Sequence, residues 1–159
     1  REAPTVEVWE DGTPKGIGML FRSFIESDHY LQSDMACYDC HDPHNNFLPA
    51  KPGLLAPSPE SNAYCLTCHE TLKGQAAEHS RHAPETEGYF CYDCHAPQRL
   101  KNLATGINQP VRTHDMSSIP DPAASILFGL ENSPNACNEC HADQTPQWAV
   151  DWMEEWWGE

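Results

Sequence analysis

The sequence predicts a mainly α-helical chain with extensive coil, low secondary-structure content and a short N-terminal β-hairpin, organised as one domain over residues 1–159. Three observations predict it. Only 39% of the 159 residues are hydrophobic, and 14 prolines and 9 glycines interrupt them, so a layered apolar core would be thin. The pentapeptide Cys-x-x-Cys-His occurs four times and uses all 8 cysteines. One amphipathic helix is plain at the C-terminus, whereas the segments between the cysteine motifs are short and proline-rich.

Taken in order, Val6, Val8 and Trp9, the turn Asp11-Gly12-Thr13-Pro14, and then Ile17, Met19, Leu20 and Phe21 read as two strands around a turn, the hairpin of residues 1–25. A helical stretch near Phe21 to Tyr30 leads into the first motif. Pro49, Pro52, Pro57 and Pro59 mark a linker. Asn62 is read as the cap of a short helix carrying the second motif, continued by Glu70 to His79. Residues 96–136 read as loop, broken by Pro110, Pro120, Pro122 and Pro134. At 145–157 Thr145 is the expected N-cap and Pro146 the first helical residue. Trp148, Trp152 and Trp156 then share a face with Ala149 and Met153 beside them, and Asp151, Glu154 and Glu155 line another. The tryptophan stripe is read first as packing over a bound group or the hairpin, and second as an interface, since Trp is enriched in binding hot spots.

The motifs are Cys37-Tyr38-Asp39-Cys40-His41, Cys65-Leu66-Thr67-Cys68-His69, Cys91-Tyr92-Asp93-Cys94-His95 and Cys137-Asn138-Glu139-Cys140-His141. This is the attachment signature of c-type haem: the thiols form thioethers with the porphyrin edge and the adjacent His binds iron. Zinc ribbons use Cys-x-x-Cys pairs and secreted chains use disulfides, but neither requires a His after every pair. A thioredoxin-type disulfide needs one such motif in a strand-helix-strand setting. Four covalently attached haem c groups are therefore expected. They supply the missing apolar mass, and the fold class is a haem-cored multihaem cytochrome c.

Nine Lys and Arg against 24 Asp and Glu give a formal charge of −15, to which haem propionates add. No basic stripe is present to neutralise phosphates, which excludes nucleic acid as a partner. The acid is read first as a solubilising surface and second as steering toward basic redox partner proteins. The chain begins at Arg1 with no charged-then-apolar leader, from which removal of a signal peptide is expected. No run approaches the roughly 18 apolar residues of a membrane span. The expected location is outside the cytoplasm, periplasmic or extracellular.

A partial repeat organises the chain. Ser27-Asp28-His29 precedes the first Cys-Tyr-Asp-Cys-His-Asp-Pro as Ser80-Arg81-His82 precedes Cys-Tyr-Asp-Cys-His-Ala-Pro. Haems one and two are expected to pair within residues 26–79, and haems three and four within 80–142. With His41, His69, His95 and His141 as proximal ligands, His29, His44, His79, His82 and His114 remain for four distal places. His79 and His82 share a face if their segment is helical. His44 lies three residues after His41, shares its direction, and as a ligand binds a different iron. Met19, Met35, Met116 and Met153 are alternatives that raise the potential, but Met35 is badly placed and Met153 belongs to the last helix. Bis-histidine ligation throughout is expected, giving a low-potential wire that binds no substrate at iron.

Ser-x-His upstream of Cys-x-x-Cys-His-x-Pro, with His44 beyond, resembles the multihaem cytochromes of bacterial respiratory chains, including the small electron-donor subunits of nitrite-reducing systems. The second half runs from His79-Ser80-Arg81-His82-Ala83-Pro84 through Cys91, His114 and Asn135-Ala136-Cys137-Asn138-Glu139-Cys140-His141 to Trp156-Trp157-Gly158. It is similar to a recurrent domain of larger multihaem proteins. Tetrahaem cytochromes that polymerise into extracellular conductive filaments are similar in haem number and size, and in them a distal His comes from a neighbouring subunit. The resemblance implies electron transfer without catalysis, by a soluble carrier or by a subunit whose partner is another copy of itself. A reductase or oxidase of a small nitrogen or sulfur compound, with one open haem, is the alternative.

Overall fold

The computed structural model describes residues 8–41, 62–63, 65–101, 110–116 and 121–158. It is mostly helix and coil with little sheet. The α-helices are α1 (Leu20–Ile25), α2 (Asp28–Leu31), α3 (Cys37–Cys40), α4 (Ala76–Ser80), α5 (Cys91–His95), α6 (Pro122–Phe128), α7 (Ala136–Cys140) and α8 (Pro146–Trp157). Single 3-10 turns occupy Ile17–Met19, Cys65–Thr67 and Glu70–Leu72, and a two-residue antiparallel ladder pairs β1 (Leu100–Lys101) with β2 (Pro110–Val111).

The N-terminal hairpin is reduced to its turn. One antiparallel bridge joins Val8 to Pro14, and the Trp9 amide donates to the Thr13 carbonyl at 2.9 Å. The expected return strand through Phe21 is instead helical over Ile17–Ile25, because Ile17, Leu20, Phe21, Phe24 and Ile25 carry helical rather than alternating spacing. Val6 and the proline linker lie outside the described residues. The expected loop 96–136 also contains structure. The Asp121 carboxylate accepts the Ala123 amide at 2.8 Å with Pro122 at the first helical position, so Pro122 starts α6 rather than breaking the chain. The same device opens α8 as expected, where the Thr145 hydroxyl accepts the Trp148 amide at 3.2 Å.

The buried apolar side chains among the described residues include Trp9, Phe24, Pro97 and Leu100 and three alanines, Ala96, Ala136 and Ala149. Beside them Ser23, Ser27, Asn62, Arg99, Thr113, Ser125, Ser133, Asn135 and Asn138 are buried. Buried polar groups need partners, and these tie distant segments together. Asp11 accepts from Arg99 at 2.7 Å and from Ser133 at 2.5 Å, fastening the N-terminal turn to both later segments. Ser125 donates to the Ser133 carbonyl at 2.6 Å and accepts from Asn135 at 2.9 Å, joining α6 to the start of α7. The Lys101 amide donates to the Lys15 carbonyl at 2.7 Å, and both lysines lie over the Trp9 ring.

Candidate haem-binding sites

Each Cys-x-x-Cys-His motif folds as a single helical turn. Positions i, i+3 and i+4 then share a face, which turns both thiols and the imidazole toward one side. The turn is closed by the His41 amide on the Cys37 carbonyl (2.8 Å), His69 on Cys65 (2.9 Å) and His141 on Cys137 (2.9 Å), while Cys91–His95 is helical throughout. None of the eight cysteines is in a disulfide. Among the described residues no three His, Cys, Asp or Glu side chains converge as a bare metal site requires.

Local acids and amides hold these turns. Asp39 accepts the Ala36 amide at 2.8 Å, and its counterpart Asp93 accepts the Gly88 amide at 3.1 Å and the Arg112 guanidinium at 3.0 Å. Arg112 also donates to the Tyr92 and Ala96 carbonyls and lies 4.2 Å from the Tyr92 ring centroid, gripping α5 from both ends. Asn135 caps α7 by accepting the Asn138 amide at 3.0 Å, and Asn138 donates to the His141 and Gln144 carbonyls. Asn62 does not cap its own segment with its side chain. It accepts the Cys91 amide at 2.8 Å and donates to the Tyr89 carbonyl at 3.1 Å, so it caps α5 and binds the second motif to the third.

Each of the four motif histidines faces a second imidazole. Ring centroids are 6.0 Å apart for His41 and His114, 5.9 Å for His69 and His29, 6.3 Å for His95 and His79, and 6.2 Å for His141 and His82. An imidazole nitrogen lies about 2.0–2.1 Å from a transition metal it ligates, and the ring centroid about 1.1 Å behind it, so two imidazoles on opposite sides of one metal have centroids about 6.3 Å apart. The four observed separations match that figure, and the residues fit haem. His44 lies outside the described residues. His79 and His82 do not share a face: α4 ends at Ser80 and Arg81 is left-handed, with φ 60°.

Around His29, His95 and His114 the surroundings favour neutral imidazole, the metal-binding form. Burial, then neighbouring His69, lowers His29; burial, then His41, lowers His114; burial, then His79, lowers His95. His29 and His114 each bury an Nδ1 without a hydrogen-bond partner. His82 places its Nδ1 2.6 Å from the Ser80 carbonyl, which leaves Nε2 for a metal. The motifs are close neighbours. As free thiols Cys65 and Cys91 share a hydrogen bond that pushes Cys65 up and Cys91 down to about 7, while burial and then Cys137 push Cys94 up to about 12.

A cavity of about 450 Å³ opens at the fourth motif between Cys137, Cys140, His141 and His82, roofed by Trp148 and Trp152. Its size falls in the range of about 300–1,000 Å³ usual for cofactor sites. The tryptophan stripe thus lines a cofactor-sized space, with the His141 and Trp148 rings 4.8 Å apart. Apart from the recurrence of Asp in both Cys-Tyr-Asp-Cys-His motifs, Arg112 and the motif acids carry no signal of their role in the sequence, and the cap expected of Asn62 serves α5 instead of its own segment.

Over residues 29–74 the chain matches the family model described as Doubled CXXCH motif, a span that takes in His29 and the first two motifs. No curated protein and no solved structure matches the chain. The match and the motifs indicate covalently bound haem c in a multihaem, c-type cytochrome-like protein. Among the described residues no helix is long and apolar enough to cross a membrane.

Proposed function

We propose that the chain is a tetrahaem c-type cytochrome that carries electrons through four closely spaced bis-histidine haems outside the cytoplasm. The observation that carries this reading is the facing of all four motif histidines by a second imidazole at 5.9–6.3 Å. Bound haem supplies a one-electron iron couple, and two imidazole ligands set it lower than a His/Met pair does. The chain's own residues fix where those couples sit. His114, His29, His79 and His82 are the distal ligands of the first to fourth motifs, and His44 is left without an assigned iron. Asn62 holds the second motif against the third, Glu139 accepts the Gln98 amide at 3.2 Å just past the third motif, and Arg112 holds α5 two residues before His114.

This arrangement supports electron transfer over the alternative of a reductase, which needs an iron position open to substrate. Redox partner proteins, or further copies of the chain in a filament, are the partners it serves. Intact mass spectrometry should give the peptide plus four haem masses, and the oxidised protein should be wholly low-spin. Fewer haems, or a substantial high-spin signal, defeats the reading. Negative-stain images beside a size-exclusion profile separate carrier from filament subunit.

A further inference from the structure

His79 and His82 stand three residues apart yet face different motif histidines, His95 and His141. On a continuous helix they would point the same way. One residue parts them: α4 stops at Ser80, and Arg81 takes the left-handed conformation at φ 60° and ψ 19°. A non-glycine residue keeps that conformation only where its surroundings over-determine it, and here they do so on both sides. After the turn, the His82 amide donates to the Ser80 hydroxyl at 3.2 Å and its Nδ1 meets the Ser80 carbonyl. The His82 ring also lies against Gly88, where an added Cβ would stand 2.6 Å from Cδ2 and Nε2. Before the turn, the Trp157 indole N–H donates to the His79 carbonyl at 3.0 Å, with the two rings 6.3 Å apart. Trp157 closes α8, whose opening turn places Trp148 beside His141. One helix therefore touches the proximal ligand of the fourth site and the distal ligand of the third.

We propose that residues 79–82 form a two-way ligand mount. The left-handed turn at Arg81 divides one tetrapeptide's imidazoles between two irons, and the Trp157 hydrogen bond locks the mount to α8, so that Arg81 and Trp157 are positioning residues setting ligand geometry at sites three and four jointly. The inference rests on the tetrahaem reading above. It goes beyond that reading in making the third and fourth haems a mechanically linked pair, adjustable from the C-terminus.

The test is low-temperature electron paramagnetic resonance with potentiometric titration of the haem-loaded protein, the signals being assigned with His79→Met and His82→Met. Arg81→Val places a β-branched residue where φ is positive and should lose the low-spin signal of site four, whereas Arg81→Gly accepts the turn and should keep all four signals. Trp157→Phe keeps an aromatic ring but removes the donor. It should shift the signals and potentials of sites three and four together and leave sites one and two at wild-type values. Because Trp157 is exposed, that variant decides the matter even if Arg81→Val does not take up haem. Wild-type protein without four low-spin signals overturns the tetrahaem reading and this inference with it. With wild-type signals intact, an unchanged Arg81→Val, an Arg81→Gly as damaged as Arg81→Val, or a Trp157→Phe that shifts none or all four sites overturns the inference alone.

Discussion

Replacing Asn62 by Ala should destabilise the protein by about 2 kcal/mol, although Asn62 is neither a ligand nor an attachment residue. Its side chain is buried and makes two hydrogen bonds across the chain, from the Cys91 amide at 2.8 Å and to the Tyr89 carbonyl at 3.1 Å. The residue at the N-cap of α5, Phe90, offers no side-chain acceptor of its own, so no local group takes over. Leaving a buried donor or acceptor unpaired costs about 1–3 kcal/mol. Cys91 and Tyr89 are only half-buried and water relieves part of that, which brings the total to about 2 kcal/mol, the upper end for losing an N-cap. Hydrogen exchange at the Cys91 amide reads the effect locally: 2 kcal/mol corresponds to roughly 30-fold less protection. Denaturation of the haem-loaded protein reads it globally. Asn62→Asp keeps an acceptor for Cys91 and should retain protection there while losing the Tyr89 bond. A Cys91 amide as protected in Asn62→Ala as in the wild type would show that the two motifs are held together by something else.

Asp11→Asn should cost about 3 kcal/mol at neutral pH, because Arg99, whose side chain is 3% exposed, is left buried without its carboxylate. Burial alone would raise the Asp11 carboxyl, but hydrogen bonds from Ser133 and Thr13 and the charge of Arg99 outweigh it and hold the group below its ordinary 3.8. A lowered acid stabilises the folded state above that value and loses its contribution as pH falls below it, so the variant should also flatten the acid side of a stability–pH curve below about pH 4. Gly88→Ala should cost about 1–2 kcal/mol for φ +82° alone. The new methyl must also displace the His82 ring, so the absorption spectrum of the haem-loaded protein should change. Thr145→Ala should lower the denaturation midpoint by about 1 kcal/mol equivalent through loss of the α8 cap, with Thr145→Ser close to wild type.

The haem-attachment motifs were legible because they are written in contiguous residues. The last helix was legible for the same reason, its cap, first proline and tryptophan spacing all being local. What escaped was set by partners distant in sequence or by a single backbone angle. Asn62 looks like a cap for the residues that follow it, and only the approach of Cys91 turns its side chain elsewhere. Pro122 looks like a breaker in sequence, yet the Asp121 carboxylate accepts the Ala123 amide and makes that proline the first residue of α6. The expected common face of His79 and His82 failed at Arg81, where nothing in the side-chain chemistry announces a positive φ. The helix expected near Phe21 to Tyr30 is present but starts earlier, and the strand reading of residues 17–20 fails because their apolar spacing is helical, although a plausible turn at Asp11-Gly12 invites a strand.

The facing of the histidine rings also sets an order in time. His29, His79 and His82 each precede the motif histidine they face, so a chain that emerges from its N-terminus already carries the second imidazole when the second, third or fourth motif arrives. The first motif alone must wait, since His114 follows it only after the second and third motifs have passed. The interior offers little for an unmodified chain to collapse around, being lined by hydroxyls and amides more than by hydrocarbon. The first facing pair of imidazoles is, with the last, among the final two to be completed along the chain. The strap from Arg112 to His114 is the stitch that draws the beginning of the molecule shut against its middle.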